Sequence, residues 1–123
     1  MERPRRLPPL IDKESLLDLP TIDDAGVLGY EAMALVRLYV TDIPFTLYVT
    51  GSDGDDELYG LLTTSKQNHL GLFYRSSLEL VRDEMGIPVV RDMAYQQDEI
   101  RDIAYRHSVQ YPESDPWWAR QLK

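Results

Sequence analysis

The sequence predicts an α+β domain: a twisted antiparallel sheet of four to five strands in meander order, with two helices packed against it. Two observations lead there. Between Met33 and Arg75 apolar, aromatic and β-branched residues recur with a period of two in separate short runs, divided by Gly, Asp and Pro. After them come two segments whose apolar residues recur at three and four, each with helix-boundary residues beside it.

In Met33–Thr41, Ala34, Val36, Leu38 and Val40 share one face, opposite a mixed face of Met33, Leu35, Arg37 and Tyr39. Pro44 interrupts the run because it has no N–H for a ladder. Phe45, Leu47 and Val49 then point inward and Thr46, Tyr48 and Thr50 outward. Gly51–Asp56 supplies residues that tolerate hairpin-turn conformations. The chain returns through Glu57–Thr63, with Leu58 and Leu62 on one side and Tyr59 and Leu61 on the other, and Leu70–Arg75 forms the fourth strand. Ser76 followed by Glu79 matches a capping box, so a helix is expected over Ser77–Met85 with Leu78, Val81 and Met85 buried, closed by Gly86 and Pro88. Residues 87–95 read as an extended segment at the sheet edge. A second helix is expected over Gln97–His107, burying Ile100, Ile103, Ala104 and His107.

The rest of the chain is read as one domain with two tails. Residues 1–9 are expected to be a flexible tail. Asp12 can cap a short helix over Lys13–Leu17 that Pro20 stops, and Thr21–Gly29 reads as a loop. Residues 108–123 form a tail carrying Trp117 and Trp118, which either dock on the body or join copies of the chain in a homo-oligomer.

Composition narrows the chemistry. The 123 residues contain no cysteine, so disulfides, thiolate metal sites and a cysteine nucleophile are excluded. No stretch has the apolar length of a membrane span or a signal-peptide core, and a soluble cytoplasmic protein is expected. The net charge of −8 is lopsided: between Leu7 and Glu57 eleven acids face only Lys13 and Arg37. Direct binding to nucleic acid or to an anionic membrane needs a cationic surface and is not expected. Asp53–Glu57 fails the calcium-loop pattern, because Leu58 stands where the glycine belongs and Thr64 where the glutamate belongs. No metal or cofactor site is expected, and no serine elbow, paired histidines or phosphate-cradling glycine loop is present.

The motif order carries a resemblance. Leu7-Pro8-Pro9-Leu10, Phe45–Thr50 with Asp53, Leu58-Tyr59-Gly60, Leu70–Phe73 leading into Ser77-Leu78-Glu79 with Arg82, and Ile87-Pro88-Val89 with Arg91-Asp92 follow one another over residues 7–100. In that order and spacing the chain resembles domain of unknown function family 2958, small acidic proteins of bacteria, plasmids and phages. The resemblance implies a mobile-element or phage setting and assigns no catalytic residue.

The leading expectation is therefore a non-enzymatic interaction protein that docks a basic protein partner, such as a nuclease or host-defence component. Asp53, Asp55, Asp56 and Glu57 would make the contact, with Tyr48 and Tyr59 as aromatic neighbours. The competing expectation is a small enzyme or ligand-binding domain whose polar pocket is lined by His69, Tyr74, Arg75, Arg91 and Asp92.

Overall fold

The computed structural model describes residues 9–113. The expected residues 1–8 of the N-terminal tail and the Trp117–Trp118 pair lie outside them. In order, the elements are α1 (Lys13–Asp18), α2 (Ile22–Leu28), a 3-10 turn (Gly29–Glu31), β1 (Met33–Ala34), β2 (Val36–Tyr39), β3 (Thr46–Ser52), β4 (Glu57–Thr63), β5 (Asn68–Tyr74), α3 (Arg75–Leu78), β6 (Val90–Arg91), β7 (Asp98–Glu99) and α4 (Ile100–Gln110). The main sheet is antiparallel with order β5-β4-β3-β2-β6, so β2 to β5 form the expected meander and β6 closes one edge. A two-stranded ladder joins β1 to β7.

The sheet is covered on both faces. On the front, Leu47 and Val49 of β3 join Leu38, Leu58, Ile11, Leu16, Leu19, Leu78 and Val89 in the larger core. On the back, Leu61 packs with Ile100, Ile103 and Ala104 of α4, flanked by Tyr48, Leu70 and Tyr95, and with Ala34, which the break between β1 and β2 turns away from the expected face of Val36, Leu38 and Val40. Leu47, Val49, Leu58 and Leu61 are each fully removed from water. Fully burying a side chain of this size is worth about 1.5–3 kcal/mol, so β3 and β4 anchor the fold.

Two backbone approaches fix how closely the layers meet. Ala25 of α2 lies directly over Gly51, where an added Cβ would stand 2.6 Å from the Ala25 Cβ. Ser52 N–H donates to the Pro20 carbonyl at 2.9 Å, tying the α1–α2 junction to the end of β3. Between Val49 and Gly51 the register slips by one residue, a β-bulge at Thr50, and the Thr50 hydroxyl donates to the Tyr59 carbonyl at 3.3 Å. At Gly60, opposite Val49, a Cβ would drive into the Tyr48 carbonyl oxygen.

Three further sequence expectations need correction. The segment Thr21–Gly29 is not a loop: Thr21 caps α2 by accepting from Asp24 N–H at 3.1 Å, and Asp23 and Asp24 complement the dipole of the first turn. The helix expected over Ser77–Met85 is only the single turn of α3, and no capping box forms. Ser76 donates both its N–H and its hydroxyl to the Asp56 carboxylate, each at 2.8 Å, while Arg75 N–H donates to the Asp56 carbonyl. Beyond Leu78 the Asp83 carboxylate collects the N–H groups of Met85 and Ile87, offering the backbone a tight loop in place of a helix. Gly86 turns that loop at φ 79°, and Met85 is exposed rather than buried. The last helix spans Ile100–Gln110, three residues later than read at each end, yet its buried face is the expected Ile100, Ile103, Ala104 and His107.

Two glycines separate close packing from propensity. Gly60→Ala is expected to cost about 3 kcal/mol through the forced shift of β3. Gly26 of α2 has open space around its Cβ position, and Gly26→Ala is expected to stabilise by about 0.8 kcal/mol. Urea unfolding midpoints of the two variants should move in opposite directions.

Candidate functional site

The two ends of the sheet differ in charge. One end is the β3–β4 hairpin tip with α1 and the start of α2. Leu17 lies beside Gly54 in the tip, and Pro20 is bonded to Ser52, so acids far apart in sequence meet here. Asp18, Asp23, Asp24 and Asp55 are exposed and make no ion pair among the described residues. The exposed apolar side chains of Leu17, Val27 and Leu28 belong to the same two helices.

Within the hairpin, the four acids have different tasks. Asp53 accepts from the N–H groups of Asp55 and Glu57 at 2.8 and 3.1 Å and so builds the turn, which Gly54 completes at φ 83°. Asp56 is bound to Ser76, and these hydrogen bonds hold its carboxyl below the ordinary value of 3.8, burial opposing them and Arg75 adding to them. Asp55 and Glu57 keep their carboxylates free of side-chain partners among the described residues. Tyr59 is half-buried on β4 opposite Gly51. Tyr48 does not accompany the acids: it is paired with Leu61 midway along β3 and packs against the back core beside Tyr95.

The expected pocket of His69, Tyr74, Arg75, Arg91 and Asp92 is not assembled. His69 and Tyr74 lie on β5 and Arg91 on β6, the two outer strands of the sheet. His69 is exposed, its ring edge-on to Phe73 at 6.1 Å, and Tyr74 is half exposed. Arg75 pairs with Glu79 at 3.9 Å. Arg91 instead reaches Asp12 and Ser15, at 3.2 and 3.1 Å, and ties β6 to the cap of α1. With Asp12 and Glu79 it borders a mostly apolar groove of about 670 Å³ that also exposes Leu80 and Met93. Asp92 pairs with Arg37 at 3.0 Å.

At the other end of the sheet, a second groove of about 500 Å³ lies between α4 and the outer half of the back face. Its polar walls come from β2 (Arg37, Tyr39), β3 (Thr46, Tyr48) and α4 with the residue after it (Arg106, His107, Tyr111). Strand alternation puts Arg37, Tyr39, Thr46 and Tyr48 on one face, as the register Arg37↔Tyr48 and Tyr39↔Thr46 requires. Arg37 stacks over the Tyr39 ring at 4.4 Å while Asp92 holds its guanidinium. Arg106 is held by Asp98, whose hydrogen bond raises its pKa further. Tyr48 meets Tyr95 at 6.0 Å, and burial pushes the Tyr95 phenol up to about 12, with Tyr48 and Asp98 adding to the rise.

His107 forms the inner wall of this groove, where the sequence alone points only to the buried face of a helix. Its Nε2 lies 2.5 Å from the Thr64 carbonyl, which can only accept, so Nε2 carries the proton. Nδ1 is then the acceptor that faces Asn68 Nδ2 at 3.4 Å, and the same amide donates to the Ala104 carbonyl at 3.1 Å. The imidazole thereby links α4 to the β4–β5 loop, with Tyr111 at 5.0 Å beside it. Among the described residues no three His, Asp or Glu side chains come together as metal ligands, and no helix is long and apolar enough to cross a membrane. No family model, curated protein or solved structure matches the chain.

Two measurements probe these contacts. His107→Ala leaves the Thr64 carbonyl and the Asn68 amide short of a partner in a buried place and should cost about 3 kcal/mol in urea unfolding. For Asp56 the folded pKa lies below the unfolded one, so its stabilisation is present above 3.8 and is lost as pH falls through the lowered value. The difference in melting temperature between wild type and Asp56→Asn should thus stay constant above about pH 5 and narrow in more acid solution.

Proposed function

We propose that the chain is a non-enzymatic interaction protein that docks a basic protein partner through the acidic end built by α1, α2 and the β3–β4 hairpin. One observation carries this reading: the fold gathers Asp18, Asp23 and Asp24 from one part of the sequence with Asp55 from another, all exposed and none ion-paired among the described residues. At physiological salt exposed charges act on one another over about 8 Å, so acids brought to one end act together on an approaching cation. Leu17 within that end gives an apolar point of contact, the usual centre of an interface with a charged rim. The binding surface is then wider than Asp53–Glu57: Asp55 and Glu57 stay available to a partner, whereas Asp53 and Asp56 first serve the turn and the α3 cap. The resemblance to domain of unknown function family 2958 rests on motif order and favours a mobile-element or phage setting for the chain itself, with a nuclease or host-defence component as the partner.

The experiment is a pull-down at two salt concentrations with the wild-type chain and the triple variant Asp18→Lys, Asp24→Lys, Asp55→Lys. A basic partner retained at low salt, released at high salt and not retained by the variant is the expected outcome. Retention indifferent to both salt and charge reversal would overturn the reading.

A further inference from the structure

We infer that the groove between α4 and the back of β2 and β3 is a binding site for a small aromatic phosphate of mononucleotide size, with Arg37 and Arg106 on the phosphate and the tyrosines on the ring. The site is separate from the acidic end, because β3 runs from one to the other over about 20 Å.

Four features point to this ligand chemistry. The first is charge: the chain carries −8, yet no carboxylate lines the groove, and both of its permanently charged residues are arginines. An anion entering there meets the guanidinium N–H groups that Asp92 and Asp98 leave free rather than a carboxylate. The second is pre-organisation. Each guanidinium is held from outside the groove, Arg37 by Asp92 and Arg106 by Asp98, which fixes its plane and leaves further N–H groups to donate. Planar donor forks suit phosphate, and holding them in place beforehand lowers the cost of binding.

The third feature is the aromatic surface. Tyr39, Tyr48 and Tyr111 reach the groove from three different elements, giving flat apolar faces beside polar hydroxyls. Such faces stack on a nucleobase irrespective of its identity. Thr46 adds a hydroxyl on the same sheet face as Arg37. The fourth is size: about 500 Å³ lies in the usual range of small-molecule pockets, too large for a bare anion to fill. His107, committed to Thr64 and Asn68, is a positioning residue that keeps α4 at its distance from the sheet.

The test is a titration of the ¹⁵N-labelled chain, followed by NMR, with adenosine monophosphate, uridine monophosphate, adenosine and inorganic phosphate. Saturable shifts centred on Arg37, Tyr39, Thr46 and Tyr48 are expected with both monophosphates, and binding of adenosine or phosphate alone should be at least about tenfold weaker. Arg106→Gln, on the exposed side of α4, should keep the fold and weaken monophosphate binding about tenfold or more, because a charge-assisted contact is lost. Tyr39→Leu provides a second variant, expected to weaken the monophosphates while leaving phosphate alone unchanged. Three results overturn the inference: no saturable shift at millimolar ligand, phosphate binding as tightly as the monophosphates, or shifts confined to residues outside the groove.

Discussion

In the middle of the sheet, Leu47 and Val49 face one layer while Leu61 faces another, and all three are shut off from water. A strand pair buried on both sides cannot be stabilised by one helix; it has to be covered twice. The chain does this with two different materials. The back receives the regular helix α4 and, over Gly51, helix α2. The front receives the N-terminal segment with α1 and the short α3 with the irregular segment after it. That second covering has little regular structure of its own, so its shape is held by side chains bonding to backbone: Asp12, Asp56 and Asp83 each gather two or more donors. Several of the acids that make the chain so negative are thus structural before they are anything else.

This division explains which parts of the fold were legible beforehand. The period of two in β2, β3 and β4 and the three-four spacing of α4 come from burial against a continuous surface, and such patterns survive in a single sequence. The Asp12 cap and the stop at Pro20 are equally local. The Ser76–Glu79 spacing is local too, and it misled, because the Ser76 hydroxyl bonds to Asp56, twenty residues earlier and across a hairpin. Helix α2 carried its own signal in Thr21 and the two aspartates after it. Gly26 and Gly29 made it read as a loop, and contact between Ala25 and Gly51 decided in favour of a helix.

The candidate sites were less legible for a related reason. Charge is countable in a sequence, so an acidic surface could be foreseen, although its extension into α1 and α2 depends on a bond from Ser52 to Pro20. Strand order is not countable. His69 and Arg91 can share a pocket between sheet and helices as far as the sequence goes, and the sheet sends them to opposite borders. Conversely Arg37 and Arg106, sixty-nine positions apart, look unrelated until α4 is laid along the sheet. Each is already matched with an aspartate, an arrangement common on protein surfaces.

The two borders of the sheet are built unequally. At one, β6 contributes two residues, with Pro88 close before it. At the other, β5 offers seven residues in regular extension, without proline, Asp, Glu, Lys or Arg between Asn68 and Tyr74, and no strand pairs with its outer edge among the described residues. Further main-chain pairing can therefore be templated from one flank and hardly from the other. If copies of this protein ever assemble edge to edge, growth has a direction, and a single lysine placed at the outward position of Leu72 would be the simplest way to forbid it.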